Sequence, residues 1–157
     1  MISKKLKTYL DSYQIPYVMI THSQAFTAPQ IAASAHIKGK ELAKTVMVKV
    51  NNRMAMAVLP ASERVDFELL KACLHISDVQ LATEQEFKNL FPDCEVGAMP
   101  PFGNLYGMEV YVAQSLTENE EIAFNAGTHI ELIRMEYSDY ERLVQPKVMD
   151  YATTLVN

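Results

Sequence analysis

With 157 residues, 49% of them apolar in type, the chain can bury a substantial core and fits one domain, residues 1–157, better than two. No apolar run approaches the roughly 20 residues needed to span a bilayer. Lys4, Lys5 and Lys7 precede no apolar stretch, so neither a membrane partner nor a signal peptide is expected. The net charge of −5 argues against a nucleic-acid partner only as an average. Residues 1–53 carry Lys4, Lys5, Lys7, Lys38, Lys40, Lys44, Lys49 and Arg53 against Asp11 and Glu41, a net of +6, and the remainder carries −11. That split permits a basic face on an acidic protein, with Lys38, Lys40 and Arg53 as candidate phosphate contacts; solvated surface lysines are the plainer reading. Cys73 and Cys94 are isolated, without metal-ligand spacing, so no disulfide, metal or cofactor is expected and a reducing cytoplasm is the natural compartment.

In chain order, Ser3 caps a predicted helix with Leu6, Tyr9, Leu10 and Tyr13 on one face, ended by Pro16. Tyr17 to Ile20 reads as a strand. Thr27 with Pro29 and Gln30 opens a short helix, and Gly39 lies beyond its end. Thr45 to Val50 and Met54 to Leu59 read as a hairpin around Asn51-Asn52-Arg53. Asp66 caps a helix through Leu74, and Val79 to Ala82 follows as a strand. Thr83 and Glu86 open a helix predicted to close near Phe91-Pro92. Gly107 to Ala113 is a strand, and Glu121 to Ala126 with His129 to Met135 a second hairpin around Gly127-Thr128. Ser138 and Glu141 form a last capping box ahead of a C-terminal helix. Strands outnumber the scattered helices, which predicts a mixed α/β fold with a curled or closed mixed sheet and helices outside.

No GxSxG, HExxH, phosphate-loop or GxGxxG motif occurs, so an enzyme built on this chain works by positioning and electrostatics. Three places stand out. Lys44 shares strand parity with Val46, Val48 and Val50, which aims a cation at the core side of the strand mouth. There it needs a ligand or a partner, unless it snorkels to water or pairs with Glu41. Gly97-Ala98-Met99-Pro100-Pro101-Phe102-Gly103 combines close-approach glycines with a stiffened centre. It is either a rigid connection or a loop whose Phe102, Gly103 and Asn104 amides face an ester oxygen. His129 has the parity of Glu131 and opposes Ile130 and Leu132, which reads as an exposed strand-start histidine or a site residue.

Phe26-Thr27-Ala28, Ala43-Lys44-Thr45-Val46, Val58-Leu59-Pro60-Ala61, Gly97 to Gly103 and Asn125 to His129, in that order, resemble the YbaK/prolyl-tRNA-synthetase-associated editing family. The resemblance covers almost the whole chain. It implies a barrel-like mixed sheet flanked by helices and hydrolysis of the ester of mischarged tRNA, with a small amino acid as the expected cargo. It places the family's lysine at Lys44, its glycine/proline loop at Gly97 to Gly103, and a histidine of the alanine-editing branches at His129. Lys44, Gly103 and His129 are thus the expected catalytic group, and Thr45, Gly97, Met99, Pro100, Pro101 and Phe102 the expected substrate contacts. Gln30 stands where many relatives carry an acid. The implied partners are mischarged tRNA and an aminoacyl-tRNA synthetase. A silent module binding tRNA ends or an aminoacyl ligand, and a domain active only with a synthetase, are the alternatives.

Overall fold

The computed structural model describes residues 2–25 and 27–155. Phe26, quoted above for the resemblance, lies outside the described residues.

Local signals set most of the elements. Helix α1 (Lys4–Ser12) starts where Ser3 Oγ accepts the Leu6 amide at 3.2 Å, and it buries Leu6 and Leu10. Strand β1 (Val18–Thr21) follows. Helix α2 (Ala28–Ala35) begins in the Thr27–Gln30 capping box and ends at His36, which adopts φ 56°, with Gly39 beyond its end as expected. Gly39 sits in the turn to β2 (Ala43–Val50), against Ser62. The hairpin to β3 (Arg53–Pro60) turns on two residues: Asn51 (φ 49°) and Asn52 (φ 65°) are both left-handed, and Arg53 already pairs with Val50. After β4 (Glu63–Val65), Asp66 caps α3 (Phe67–Leu74), and β5 (Val79–Leu81) follows.

The Thr83–Glu86 box opens α4 (Glu84–Phe87), a single turn that stops well before Phe91. Leu90 N–H bonds the Phe87 carbonyl three residues back, which tightens the chain so that Phe91 turns into the core. Strands β6 (Glu109–Ala113), β7 (Glu121–Asn125) and β8 (Glu131–Glu136) lead to α5 (Tyr137–Val144). Ser138 and Glu141 do not cap α5: its N-cap is Glu136, and both residues lie inside the helix. Strands β9 (Lys147–Met149) and β10 (Ala152–Thr154) close the chain. Among the described residues no helix is long and apolar enough to cross a membrane.

The strands form a mixed sheet in the order β5-β2-β3-β6-β9, an antiparallel sheet β1-β8-β7 and the pair β10-β4. The architecture is therefore mixed α/β and curled, but the sheet does not close into a barrel. Both faces of the large sheet are buried. Met47, Met56, Val58 and Val112 pack with α1, α5 and the inner side of β7 and β8. Val48, Val50 and Leu59 pack with Leu70 of α3 and with Tyr151, whose hydroxyl donates to the carbonyls of Val58 (3.0 Å) and Tyr111 (2.6 Å). A third cluster seats Ile31 and Ala32 of α2 on Leu42, Ala123 and Leu132.

Candidate active site

Strands β2 and β7 meet at one parallel bridge, Leu42 with Ala123, where the Ala123 amide donates to the Glu41 carbonyl at 2.9 Å. Beyond it they part. β2 continues to β5, with the Ala82 amide on the Met47 carbonyl at 3.0 Å, while β7 turns away after Asn125 toward Ala126, whose amide bonds Glu131. The gap is a cleft of about 170 Å³ lined by Ala28, Ile31, Leu42, Ala43, Lys44, Thr45, Gly97 and Asn125.

Strand alternation dictates what faces this gap. Glu41 and Met47 turn their carbonyls to this edge of β2, so Thr45, of the same parity, presents its N–H and C=O there. Asn125 does the same from β7, having the parity of Ala123. Lys44 and Asn125 each stand two residues past the bridge, so their side chains share the sheet face that α2 covers. Parting strands thus leave main-chain donors and acceptors bare beside two polar side chains, as where strand ends diverge in open α/β sheets.

Lys44 is half-buried and, among the described residues, forms no hydrogen bond or ion pair, with Glu41 or any other carboxylate. Burial holds its pKa below the ordinary 10.5, and the nearby Glu63 carboxylate partly offsets this. Glu63 is itself engaged by Ser115 Oγ at 2.6 Å. The valine face that Lys44 shares is buried as expected, though Met47 on the opposite face faces the larger core. Asn125 Oδ1 is buried and accepts no hydrogen bond among the described residues.

A family model for the aminoacyl-tRNA editing domain matches residues 22–143. The chain belongs to the aminoacyl-tRNA editing domain family. It is 27% identical over 159 aligned residues to the multifunctional Ser/Thr-tRNA deacylase ProXp-y of Escherichia coli K12, covering 96% of this chain and 93% of that protein. The same protein from Escherichia coli O157:H7 matches equally. Two crystal structures share the fold at 18% identity. One is the hypothetical protein APE2540, with a TM-score of 0.84 over 96% of this chain and all of that one. The other is described as a candidate trans-editing enzyme for prolyl-tRNA synthetase, with a TM-score of 0.81 over 96% of each.

Within this editing domain Lys44, Thr45 and Gly97 line the cleft, but the rest of the glycine/proline segment does not. Met99, Pro100, Pro101, Phe102 and Gly103 are all buried. Phe102 packs against Phe124 and Tyr140, Tyr140 OH donates to the Pro101 carbonyl at 2.7 Å, and the Phe102 amide is taken by the Pro100 carbonyl at 2.8 Å. Apolar side chains pulled the segment inward, so it supports the site from behind. Gly103 is required by packing: a β-carbon there would stand 2.7 Å from Val110 Cγ2 and 3.0 Å from the Met108 carbonyl oxygen.

His129 is buried at 8% exposure while Ile130 is exposed at 39%, the reverse of the expected parity, because β8 starts only at Glu131 and the preceding residues form a loop. Its amide donates to Glu95 Oε1 at 2.6 Å. Its Nε2 lies 2.8 Å from the Val96 carbonyl, which can only accept, so Nε2 carries the proton. His129 lies outside the cleft lining and holds the segment that supplies Gly97.

The basic residues divide. Lys38 and Lys40 are exposed in the turn leading into β2, at the cleft end, where Asn119 Nδ2 donates to the Lys40 carbonyl at 2.7 Å. Arg53 pairs with Val50 at the other end of the hairpin, about 20 Å along the strand from Lys44. It borders a larger groove of about 870 Å³ whose Glu109 is held by Lys147 (3.0 Å) and Tyr111 OH (2.7 Å). Asn125 also lines the cleft; the resemblance includes it without giving it a role, and its own signal is a polar side chain ending an apolar strand.

Proposed function

We propose that this editing domain acts in trans as an aminoacyl-tRNA deacylase on tRNA charged with a small amino acid, serine or threonine in particular. The observation that carries the reading is the half-buried Lys44, unpaired among the described residues, at the mouth of a small cleft between parting strands. A half-buried cation that Glu63 only partly offsets suits an anionic or electron-rich ligand group, and the terminal phosphate or ribose of tRNA supplies one. The Ser/Thr-tRNA deacylase relative supports the choice of cargo, and the cleft volume of about 170 Å³ suits a small side chain.

In this reading Lys44 anchors the tRNA end, and the Thr45 and Asn125 main-chain groups orient the aminoacyl ester. Gly97 lets the backbone come close. Water adds to the carbonyl carbon, the bond to the ribose oxygen breaks, and that oxygen takes up the proton. The products are free amino acid and a tRNA end with its hydroxyl restored. The ester is already activated, so holding it in register with water, aided by the neighbouring ribose hydroxyl, supplies several kcal/mol, with about 7–11 as the upper range.

The test is release of amino acid from a panel of mischarged tRNAs by the purified protein, with and without a synthetase. Turnover of seryl- or threonyl-tRNA without a synthetase is the expected result. No release from any tRNA under either condition would leave a silent binding module as the reading, and release only with a synthetase would make that enzyme an obligatory partner.

A further inference from the structure

Asn125 has no part in the chemistry described so far beyond its main chain, yet its side chain is the anomaly of the cleft. Its Oδ1 is buried and accepts no hydrogen bond. A buried carbonyl without a donor is costly, and because Asn125 lines the cleft a donor carried by a ligand there would relieve that cost. Among the described residues none supplies that donor: Leu132 is its cross-strand partner, Ile31 and Leu42 line the same cleft, and no hydrogen bond joins it to Lys44.

We infer that Asn125 is the specificity residue for the amino-acid side chain, its Oδ1 accepting the hydroxyl of a seryl or threonyl group. This rests on the deacylase reading. An aminoacyl ester offers two donors to such an acceptor, the α-ammonium and a side-chain hydroxyl. Lys44 shares the sheet face with Asn125, and Ala28, the first residue of α2, lines the same cleft, so a cation and a helix N-terminus both set a positive field there. A second cation is disfavoured in that field, and a neutral hydroxyl is not. A site that must hydrogen-bond a substrate hydroxyl rejects the analogue lacking it, because the buried acceptor is then left unmet.

The decisive experiment compares seryl- and alanyl-esters on one tRNA body, using the full chain, Asn125→Leu and Asn125→Ala, with a melting curve for each. The parent is expected to favour seryl over alanyl by about tenfold or more in kcat/KM. Both variants should melt no lower than the parent, since an unmet carbonyl has been removed. Their seryl preference should fall toward one, because the seryl rate loses more than the alanyl rate. A parent without preference, variants that keep it, or equal losses on both esters would overturn the inference; equal losses would assign Oδ1 to a part common to all aminoacyl groups. A parent that cleaves neither ester would overturn the deacylase reading, and this inference with it.

Discussion

The main chain of Gly97 lies against the imidazole of His129: a β-carbon on Gly97 would stand 3.5 Å from His129 Cε1 and 4.0 Å from Nε2. The ring is tied to the same segment through the Val96 carbonyl, and its own amide to Glu95. His129 therefore fixes residues 95–97, and under the proposed deacylase reading it is a positioning residue.

Gly97→Ala should consequently weaken both fold and activity. The 3.5 Å contact is ordinary, so space is not the obstacle; the φ of +86° is, and a side chain there costs about 1 kcal/mol or more. The melting temperature should fall by about 3 °C, with a larger fractional loss in kcat/KM. His129→Ala should lower kcat/KM and leave Lys44's dependence on pH where it was. Unaltered turnover by both variants would remove this segment from the site.

Gly103→Ala separates packing from chemistry. Its β-carbon would collide with Val110 Cγ2 and the Met108 carbonyl, and the carbonyl is main chain that cannot swing aside. The expected loss is about 1–3 kcal/mol of stability, with near-parental turnover by the folded fraction. Val110→Ala in the same chain should recover part of the stability, because the closer contact is with its side chain. A fully stable Gly103→Ala protein that no longer cleaves mischarged tRNA would return this glycine to the substrate's side of the loop.

What the sequence revealed follows from how local each signal was. The Thr27–Gln30 box, the Asp66 cap and the paired asparagines at Asn51-Asn52 act within a few residues and were legible. Lys44 was visible through alternation along one strand. Strand β4 was not, because its partner β10 comes from the far end of the chain. The cleft depends on a single bridge, Leu42 with Ala123, and no periodicity in either strand announces where they part. His129 was misread because alternation was extended into a loop. The proline-rich segment reads in sequence as either a rigid connection or a ligand loop, and composition does not show that its apolar side chains from Met99 to Phe102 are core.

Lys44→Met should abolish deacylation without unfolding the protein. Burial lowers the folded-state pKa of Lys44 below its unfolded value, so the charged lysine destabilises the fold at neutral pH. That deficit is relieved as pH rises through the folded pKa toward 10.5. A methionine removes the deficit, so the melting temperature should hold or rise. If the ammonium is needed, kcat/KM should fall on the alkaline side earlier than for an ordinary lysine. Glu63→Gln, which removes the carboxylate that raises the Lys44 pKa, should move that fall to lower pH and change little at neutrality. An active Lys44→Met protein, or an alkaline limb that Glu63→Gln leaves in place, would end the case for this lysine.

The exposed lysines give the last prediction, because the fold separates residues that the sequence grouped. Lys38 and Lys40 flank the entry to β2 beside the cleft, whereas Arg53 starts β3 at the far end of the hairpin. A tRNA end threaded into the cleft passes the first two. If its phosphates touch them, binding should weaken with added salt as counterions are released, and Lys38→Gln with Lys40→Gln should flatten the slope of log affinity against log salt by about one unit per lost contact. Arg53→Gln alone should leave slope and affinity close to the parent's if the bound tRNA stays at the cleft end. Titrating uncharged tRNA at several salt concentrations reads out all three variants. A flattened slope in Arg53→Gln would mean that the tRNA runs the length of the hairpin, and an unchanged slope in the double lysine variant would mean that it approaches from another side.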